Sequence, residues 1–249
     1  MDAQLSFSVL GRVRATREGT ELRLGPSQQR LTLAVLLLNM KCFVSAEELM
    51  NALWGDKPPK SAVNSVRIYV HRIRRLLNEL GHPAIVSSIG GGYEMLDQGQ
   101  RLDLNDFESL LAKGERARHA GDHSAALTYT GEGLALWRGR PLADLPGDWA
   151  QKQRHVIEDR YLAGVEGQAV DLLAMGRPTA VISTLGGVAA DHPFDERLRE
   201  LLILAMHRSG RTAEALSMYH ETREVFAQEL GIDLGASLQR LYMQLLRGG

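Results

Sequence analysis

The chain is poor in several things that would have assigned it a chemistry. It has a single cysteine, Cys42, which rules out an internal disulfide. The surrounding NMKCFVS is apolar, so a buried structural thiol in a reducing compartment is expected. The longest apolar run, LTLAVLLLNM at Leu31 to Met40, is far short of the roughly 20 residues that cross a bilayer. The opening MDAQLSF lacks a charged segment followed by an apolar one, and a cytoplasmic chain is expected. The eight histidines are scattered, none in a metal-ligand or triad spacing. Gly90-Gly91-Gly92 is not followed by Lys-Ser/Thr, so a phosphate-binding loop is not supported. No catalytic residue, cofactor or metal site is therefore expected, and the chain does not read as an enzyme.

Taken whole, the chain also has no excess of positive charge, its formal net charge being −1. Division of the chain removes that impression. Residues 1–96 carry 12 Lys+Arg against 8 Asp+Glu, net +4, and residues 97–249 carry 17 against 22, net −5. Such asymmetry points to a basic binding half and an acidic half. With 249 residues, 44% apolar and 24% charged, the chain is globular and long enough for two domains.

Residues Leu5 to Leu24 alternate between apolar and polar around Gly11, Glu18-Gly19 and Gly25, which predicts a small antiparallel sheet. Ser27 to about Met40 is apolar enough for a buried helix. Ser45-Ala46-Glu47-Glu48 has the capping-box spacing, predicting a helix that runs to Trp54 before Gly55. Pro58-Pro59 block its continuation, and a further helix capped by Ser61 runs to Leu80, before Gly81 and Pro83. AIVSSIGGGYEML then reads as a β-hairpin with a glycine turn. Sheet, three helices and hairpin is the order of parts in a winged helix-turn-helix domain. Composition turns polar over residues 97–102.

From there the pattern is helical. Segments beginning GDHSAAL at Gly121, GRPTAVI at Gly176 and GRTAEAL at Gly210 echo one another. The second offset is 34 residues, the tetratricopeptide period; the first is 55, so the array is irregular. Paired antiparallel helices are expected over residues 103–249, with Asp103 and Thr212 as N-caps and Gly231 as a stop. Trp137 and Trp149 read first as core residues, with an interaction surface as the alternative.

The most informative stretch is PPKSAVNSVRIYVHRIRRLLNEL, Pro58 to Leu80. At about 100° per residue, Val63, Val66, Val70, Ile73, Leu77 and Leu80 share one face, widened by Tyr69 and Leu76, as in a helix packed on a core. Asn64, Ile68, His71 and Arg75 line the opposite face, flanked by Ser61, Ser65, Arg67, Arg72 and Arg74. Residues 57–82 hold six cations against Glu79, net +5. The repeat is too short for a coiled coil, and a valine-rich apolar face does not suit a membrane surface. A solvated basic face is the plain alternative. Position between a capped helix and a hairpin favours major-groove recognition: the arginines for phosphates or guanine, Asn64 for adenine, and Ile68 against a thymine methyl.

The run LWGDKPPKSAVNSVRIYVHRIRRLL with its hairpin GGYEML resembles the OmpR/PhoB-type winged-helix domain as found in SARP-type antibiotic-regulatory activators. DLNDFESLLAKGERARHAGDHSAALTYTGEGLALWRGRPLADLPGDWA and HRSGRTAEALSMYHETREVFAQELGIDLGASLQRLYMQLLRG resemble the bacterial transcriptional activation domain of the same family. The resemblance implies a mainly α fold with a small α+β part: a winged-helix domain over residues 1–98 and a tetratricopeptide-like helical domain over 99–249. It also implies an activator that binds direct repeats in double-stranded promoter DNA as a pair of protomers, recruits RNA polymerase and switches on secondary-metabolite genes, with no membrane partner.

Carried over by position, the recognition helix is Ser61 to Leu80 and the wing covers residues 85–96, so the outer face supplies the DNA-binding residues Lys60, Ser61, Asn64, Ser65, Arg67, Ile68, His71, Arg72, Arg74 and Arg75. The wing turn departs from the family's habit in having no cation. That leaves Ser87, Ser88 and backbone amides to meet phosphate. A repressor of the same architecture, a piece of a larger regulator and a protein-interaction scaffold are the competing readings.

Overall fold

Alternating burial begins at once. In β1 (Leu5–Ser8) the residues Leu5 and Phe7 are buried, while Ser6 and Ser8 are partly exposed. β2 (Arg14–Arg17) and β3 (Thr20–Glu21) follow, then α1 (Ser27–Leu38), β4 (Phe43–Ser45), α2 (Ala46–Trp54), α3 (Ala62–Glu79), β5 (Val86–Ile89), β6 (Gly92–Met95) and β7 (Arg101–Leu102). The structure is a computed structural model, and it describes residues 5–81 and 86–247, without the side chains of 86–89.

The first sheet has the order β3-β2-β1-β7, with β1 and β2 antiparallel from Leu5↔Arg17 to Ser8↔Arg14. β7 joins it parallel to β1, Ser6 facing Arg101. The polar stretch over residues 97–102 thus ends in a strand, one too short to carry a periodic signal. The second sheet, β4-β6-β5, adds to the expected hairpin a strand that precedes α2. α1 packs against both α2 and α3 and also meets β6. Its leucines Leu31, Leu33, Leu36 and Leu37 are all buried.

The capping box forms as predicted: Glu48 N–H donates to Ser45 Oγ at 3.1 Å, and Ser45 N–H donates to Glu48 Oε2 at 2.7 Å. The hydrogen bonds from Ser45 hold the Glu48 carboxyl below its usual pKa. Cys42 departs from expectation and is exposed. It sits in the turn between α1 and β4, where Leu37 and Val44 fill the core instead.

The remaining helices are α4 (Asp103–His119), α5 (His123–Leu134), α6 (Asp148–Ala174), α7 (Pro178–Asp191), α8 (Glu196–Arg208), α9 (Thr212–Val225) and α10 (Ala236–Arg247). A π-helical turn over Phe226–Leu230 ends at Gly231, whose φ of 67° makes it the expected stop. Contacts divide the chain into two compact units. One joins Met1–Ser109 to Ala135–Arg160, and the other joins Leu110–Leu134 to Tyr161–Gly249.

In the second unit, the turns after α4, α6 and α8 are one motif used three times. Gly121, Gly176 and Gly210 all have positive φ, and the residue after each donates to the carbonyl five positions back: Asp122 to Ala117, Arg177 to Leu172 and Arg211 to Met206, each at 2.9 Å. That 6→1 bond is the Schellman closure, which needs a left-handed residue and so selects glycine. The core here is mostly aliphatic, with Val181, Leu185, Leu198, Leu202, Ile203 and Leu238 buried beside Tyr219 and Phe226. Thr212 is the first residue of α9, with Arg211 at the cap position, and its hydroxyl meets His207 Nδ1 at 3.1 Å.

In the first unit, residues 135–147 are tied down by distant partners. Leu142 N–H donates to Val9 O, Ala143 N–H to Gly11 O, and Val13 N–H to Asp144 Oδ1 at 2.8 Å. The buried Arg154 guanidinium donates to the carbonyls of Pro141, Leu142 and Leu145. This insertion, together with the long α6, accounts for the 55-residue offset between Gly121 and Gly176. Asp103, expected as an N-cap, instead accepts the N–H groups of Val9 at 2.8 Å and Leu10 at 3.3 Å. Burial pushes its carboxyl pKa up against these bonds, which act to lower it.

Candidate nucleic-acid interface

α2 stops at Gly55, and the two prolines that follow cannot extend a helix. The chain turns and restarts with Ala62 N–H donating to Pro59 O at 2.9 Å. Ser61 stands at the N-cap position, yet its hydroxyl makes no capping bond. Its ψ of 5° is far from the extended geometry that lets a cap side chain reach the first turn. The expected Ser61 cap therefore does not form, and the serine stays exposed beside the exposed Lys60.

α3 buries a narrower stripe than its sequence pattern predicts. Ala62, Val66, Val70, Ile73 and Leu77 are buried, but Val63 is 45% exposed and Leu80 is only partly covered. Ala62 takes the place expected of Val63 at the head of the stripe. The Tyr69 hydroxyl donates to Gln28 Oε1 and so pins α3 to α1. Burial of these five side chains, each worth up to about 1.5–3 kcal/mol for the larger ones, holds the helix without help from its charges.

The opposite face is open. Asn64, Arg67, Ile68, His71, Arg72 and Arg75 are exposed, and Ser65 is partly so. Among the described residues, no ion pair or hydrogen bond engages the side chain of Arg67 or Arg72. Arg75 lies 3.7 Å from Glu79, but both side chains are about two-thirds exposed and such a pair adds little. Arg74 differs from its neighbours: it is partly buried, with its guanidinium carbon 5.7 Å from the centre of the Tyr93 ring on β6. Of the expected site residues it is the one turned toward the hairpin.

That hairpin closes on Gly90 and Gly91, both at positive φ, as a tight two-residue turn requires. Gly92 has a steric role: a Cβ there would come within 2.4 Å of Val44 O and 2.5 Å of Phe43. Ser87 and Ser88 lie on β5, opposite Glu94 and Tyr93, and their side chains fall outside the described residues, as does Ile85 at the wing's start. Lys57 and Val63, both exposed at the head of the face, were not among the expected site residues. The small buried Ala62 beside Val63 was the available signal, because it competes for the same stripe.

An exposed cationic helix face set between a turn and a β-hairpin can bind a polyanion and leaves two apolar side chains, Val63 and Ile68, free to touch base methyls. Among the described residues there is no cluster of three metal-ligating side chains, and no helix is long and apolar enough to cross a membrane. The class defined is a winged-helix regulator with an appended helical domain.

Family models agree over both parts. Residues 19–95 match the model described as "Transcriptional regulatory protein, C terminal", and residues 102–246 match "Bacterial transcriptional activator domain". The chain is 41% identical to the regulatory protein AfsR of Streptomyces griseus across 98% of its own length, which is 24% of AfsR. It is 33% identical to the transcriptional regulatory protein MoaR1 of Mycobacterium tuberculosis, covering 98% of this chain and 79% of MoaR1. It is 30% identical to the regulatory protein DnrI of Streptomyces peucetius, covering 98% and 92%. A solved structure of Mycobacterium tuberculosis EmbR in complex with a low affinity phosphopeptide superposes with a TM-score of 0.94 at 31% identity, covering 99% of this chain and 66% of that one. The chain belongs to the SARP-type transcriptional regulators, the OmpR/PhoB-type winged helix joined to a bacterial transcriptional activator domain. It spans about a quarter of the AfsR proteins it matches.

Proposed function

We propose that this chain is a sequence-specific, DNA-binding transcriptional activator that carries out no chemistry of its own. Residues 1–98 bind promoter DNA and residues 99–249 engage RNA polymerase, within the cytoplasm and at the nucleoid. Two protomers sit side by side on direct repeats and switch on genes of secondary metabolism, as the SARP family would have it. The observation that carries this reading is the outer face of α3, where Arg67 and Arg72 are exposed without partners around Asn64 and Ile68. On it the arginines grip phosphates or guanine edges, Asn64 pairs with adenine and Ile68 packs on a thymine methyl.

Transcription in vitro from a promoter carrying the protein's footprint tests the reading. Added protein is expected to raise transcript yield and to protect two repeats on one DNA face. A fall in yield with the same footprint would make it a repressor. Absence of any footprint would leave a protein-interaction scaffold.

A further inference from the structure

Arg72, Arg74 and Arg75 are near neighbours in the sequence, but the fold treats them differently. Two positions apart at about 100° per residue, Arg72 and Arg74 point to nearly opposite sides of α3. Arg72 and Arg75 are exposed, whereas Arg74 is partly buried at the edge of the stripe formed by Ile73 and Leu77, with its guanidinium carbon 5.7 Å from the centre of the Tyr93 ring. An arginine suits that place, because its planar cation is attracted to a ring face while its stem covers apolar surface.

Tyr93 is a sensitive residue to hold. It is only 9% exposed and stands on β6, the central strand of its sheet, paired with Val44 of β4 on one side and Ser88 of β5 on the other. A displacement of Tyr93 is therefore passed to both neighbouring strands and to the Gly90-Gly91 turn. The tip of the hairpin is tied toward α2, where Ala46 N–H donates to Gly91 O at 3.3 Å. A tie at the tip leaves a pivot; the Arg74 contact, coming from α3, limits rotation about it.

Composition makes the placement of this hairpin matter. Residues 85–96 contain no lysine or arginine, so no long cationic side chain can make up for a misplaced turn. The turn can offer a phosphate only backbone amides and short hydroxyls, whose hydrogen bonds fail once donor and acceptor are more than about 3.5 Å apart.

We propose that Arg74 is a positioning residue for DNA binding and makes no phosphate contact of its own. Held on the Tyr93 ring, it sets the pitch of the β5–β6 hairpin so that the turn amides reach the DNA backbone while α3 lies in the groove. The role rests on the reading of α3 above.

Two measurements on the full chain test it. Duplex affinity is followed against salt for Arg74→Met, Tyr93→Leu, the two combined, and Tyr93→Phe; hydrogen exchange over residues 86–95 is followed in the same proteins without DNA. Arg74→Met and Tyr93→Leu are each expected to weaken binding about fivefold, and the pair to lose no more than either alone. The salt slope should stay within about half a unit of wild type, in contrast to the loss of about one expected of Arg72→Ala. Tyr93→Phe, which keeps the ring, should bind as wild type, and exchange over residues 86–95 should quicken in Arg74→Met and Tyr93→Leu. A slope lowered by about one in Arg74→Met would make Arg74 a phosphate contact, and additive losses would uncouple it from Tyr93; either would overturn the positioning role and leave the reading of α3 standing. Wild-type protein that binds no duplex would instead sink the reading of α3 and the role together. Exchange over residues 86–95 unmoved by Arg74→Met would overturn the role whatever the duplex shows.

Discussion

Two regions of the molecule face the same problem, how to end a helix and turn the chain, and solve it differently. At Gly121, Gly176 and Gly210 the backbone closes on itself with a left-handed glycine and a 2.9 Å bond, using no side chain. Over residues 135–147 the chain is instead held by side chains and strands from far away: Arg154 on three carbonyls, Asp144 on the Val13 amide, and the ends of β1 on the loop backbone. In the first solution stability is local and repeated. In the second it depends on buried charges whose partners are elsewhere in the sequence. Against both, Arg67 and Arg72 on the α3 face hold nothing in place among the described residues. The difference separates charges consumed by the fold from charges left for a partner.

Five substitutions test that separation, starting with the most damaging. Arg154→Ala removes a buried donor from three carbonyls and should cost about 3 kcal/mol in chemical denaturation. A cost below about 1 kcal/mol would mean that the loop is held by its backbone bonds alone. Gly210→Ala forces a side chain into left-handed φ and should cost about 1–2 kcal/mol. Gly187→Ala, in mid-α7 with open space around its Cβ, should stabilise by about 0.5–1 kcal/mol, the opposite sign at a helical glycine.

Glu48→Ala should have a smaller effect, a few tenths of a kcal/mol, because the carboxylate is exposed and screened. Its pKa is lowered in the folded state, so the capping contribution is complete above the ordinary value of 4.5 and disappears as pH falls through the folded pKa. Denaturation of wild type and variant should therefore converge in acid; a difference that persists there would place the effect in helix propensity. Arg72→Ala should leave stability within about 0.5 kcal/mol, since no partner is lost.

Much of this was legible in the sequence because it is local. The capping box at Ser45, the stop at Gly231, the glycine echoes of the helix hairpins and the buried leucines of α1 each depend on residues a few positions apart. What was not legible depends on distance. Nothing near Asp103 indicates that it would accept amides from Val9 and Leu10 at the far end of β1. β4 and β7 are three and two residues long, too short for alternation to register, and exist because β6 and β1 offer them an edge. On α3 the period located the two faces correctly, but could not decide between Ala62 and Val63 at the head of the stripe, since both lie near its border. The outward positions of Asn64, Arg67, Ile68, His71, Arg72 and Arg75 agree with the pattern, while the turn of Arg74 toward Tyr93 required the hairpin to be in place.

The central claim is that the α3 face divides into residues that hold DNA and residues that read it. Affinity measured against salt concentration, on a footprinted promoter duplex and on a scrambled one, tests this directly for wild type, Arg72→Ala and Asn64→Ala. Arg72→Ala is expected to weaken both duplexes and to lower the salt slope by about one, whereas Asn64→Ala should keep the slope and lose about 1–3 kcal/mol of preference at one base position. Identical behaviour of the two variants, or wild-type binding indifferent to salt, would contradict the account.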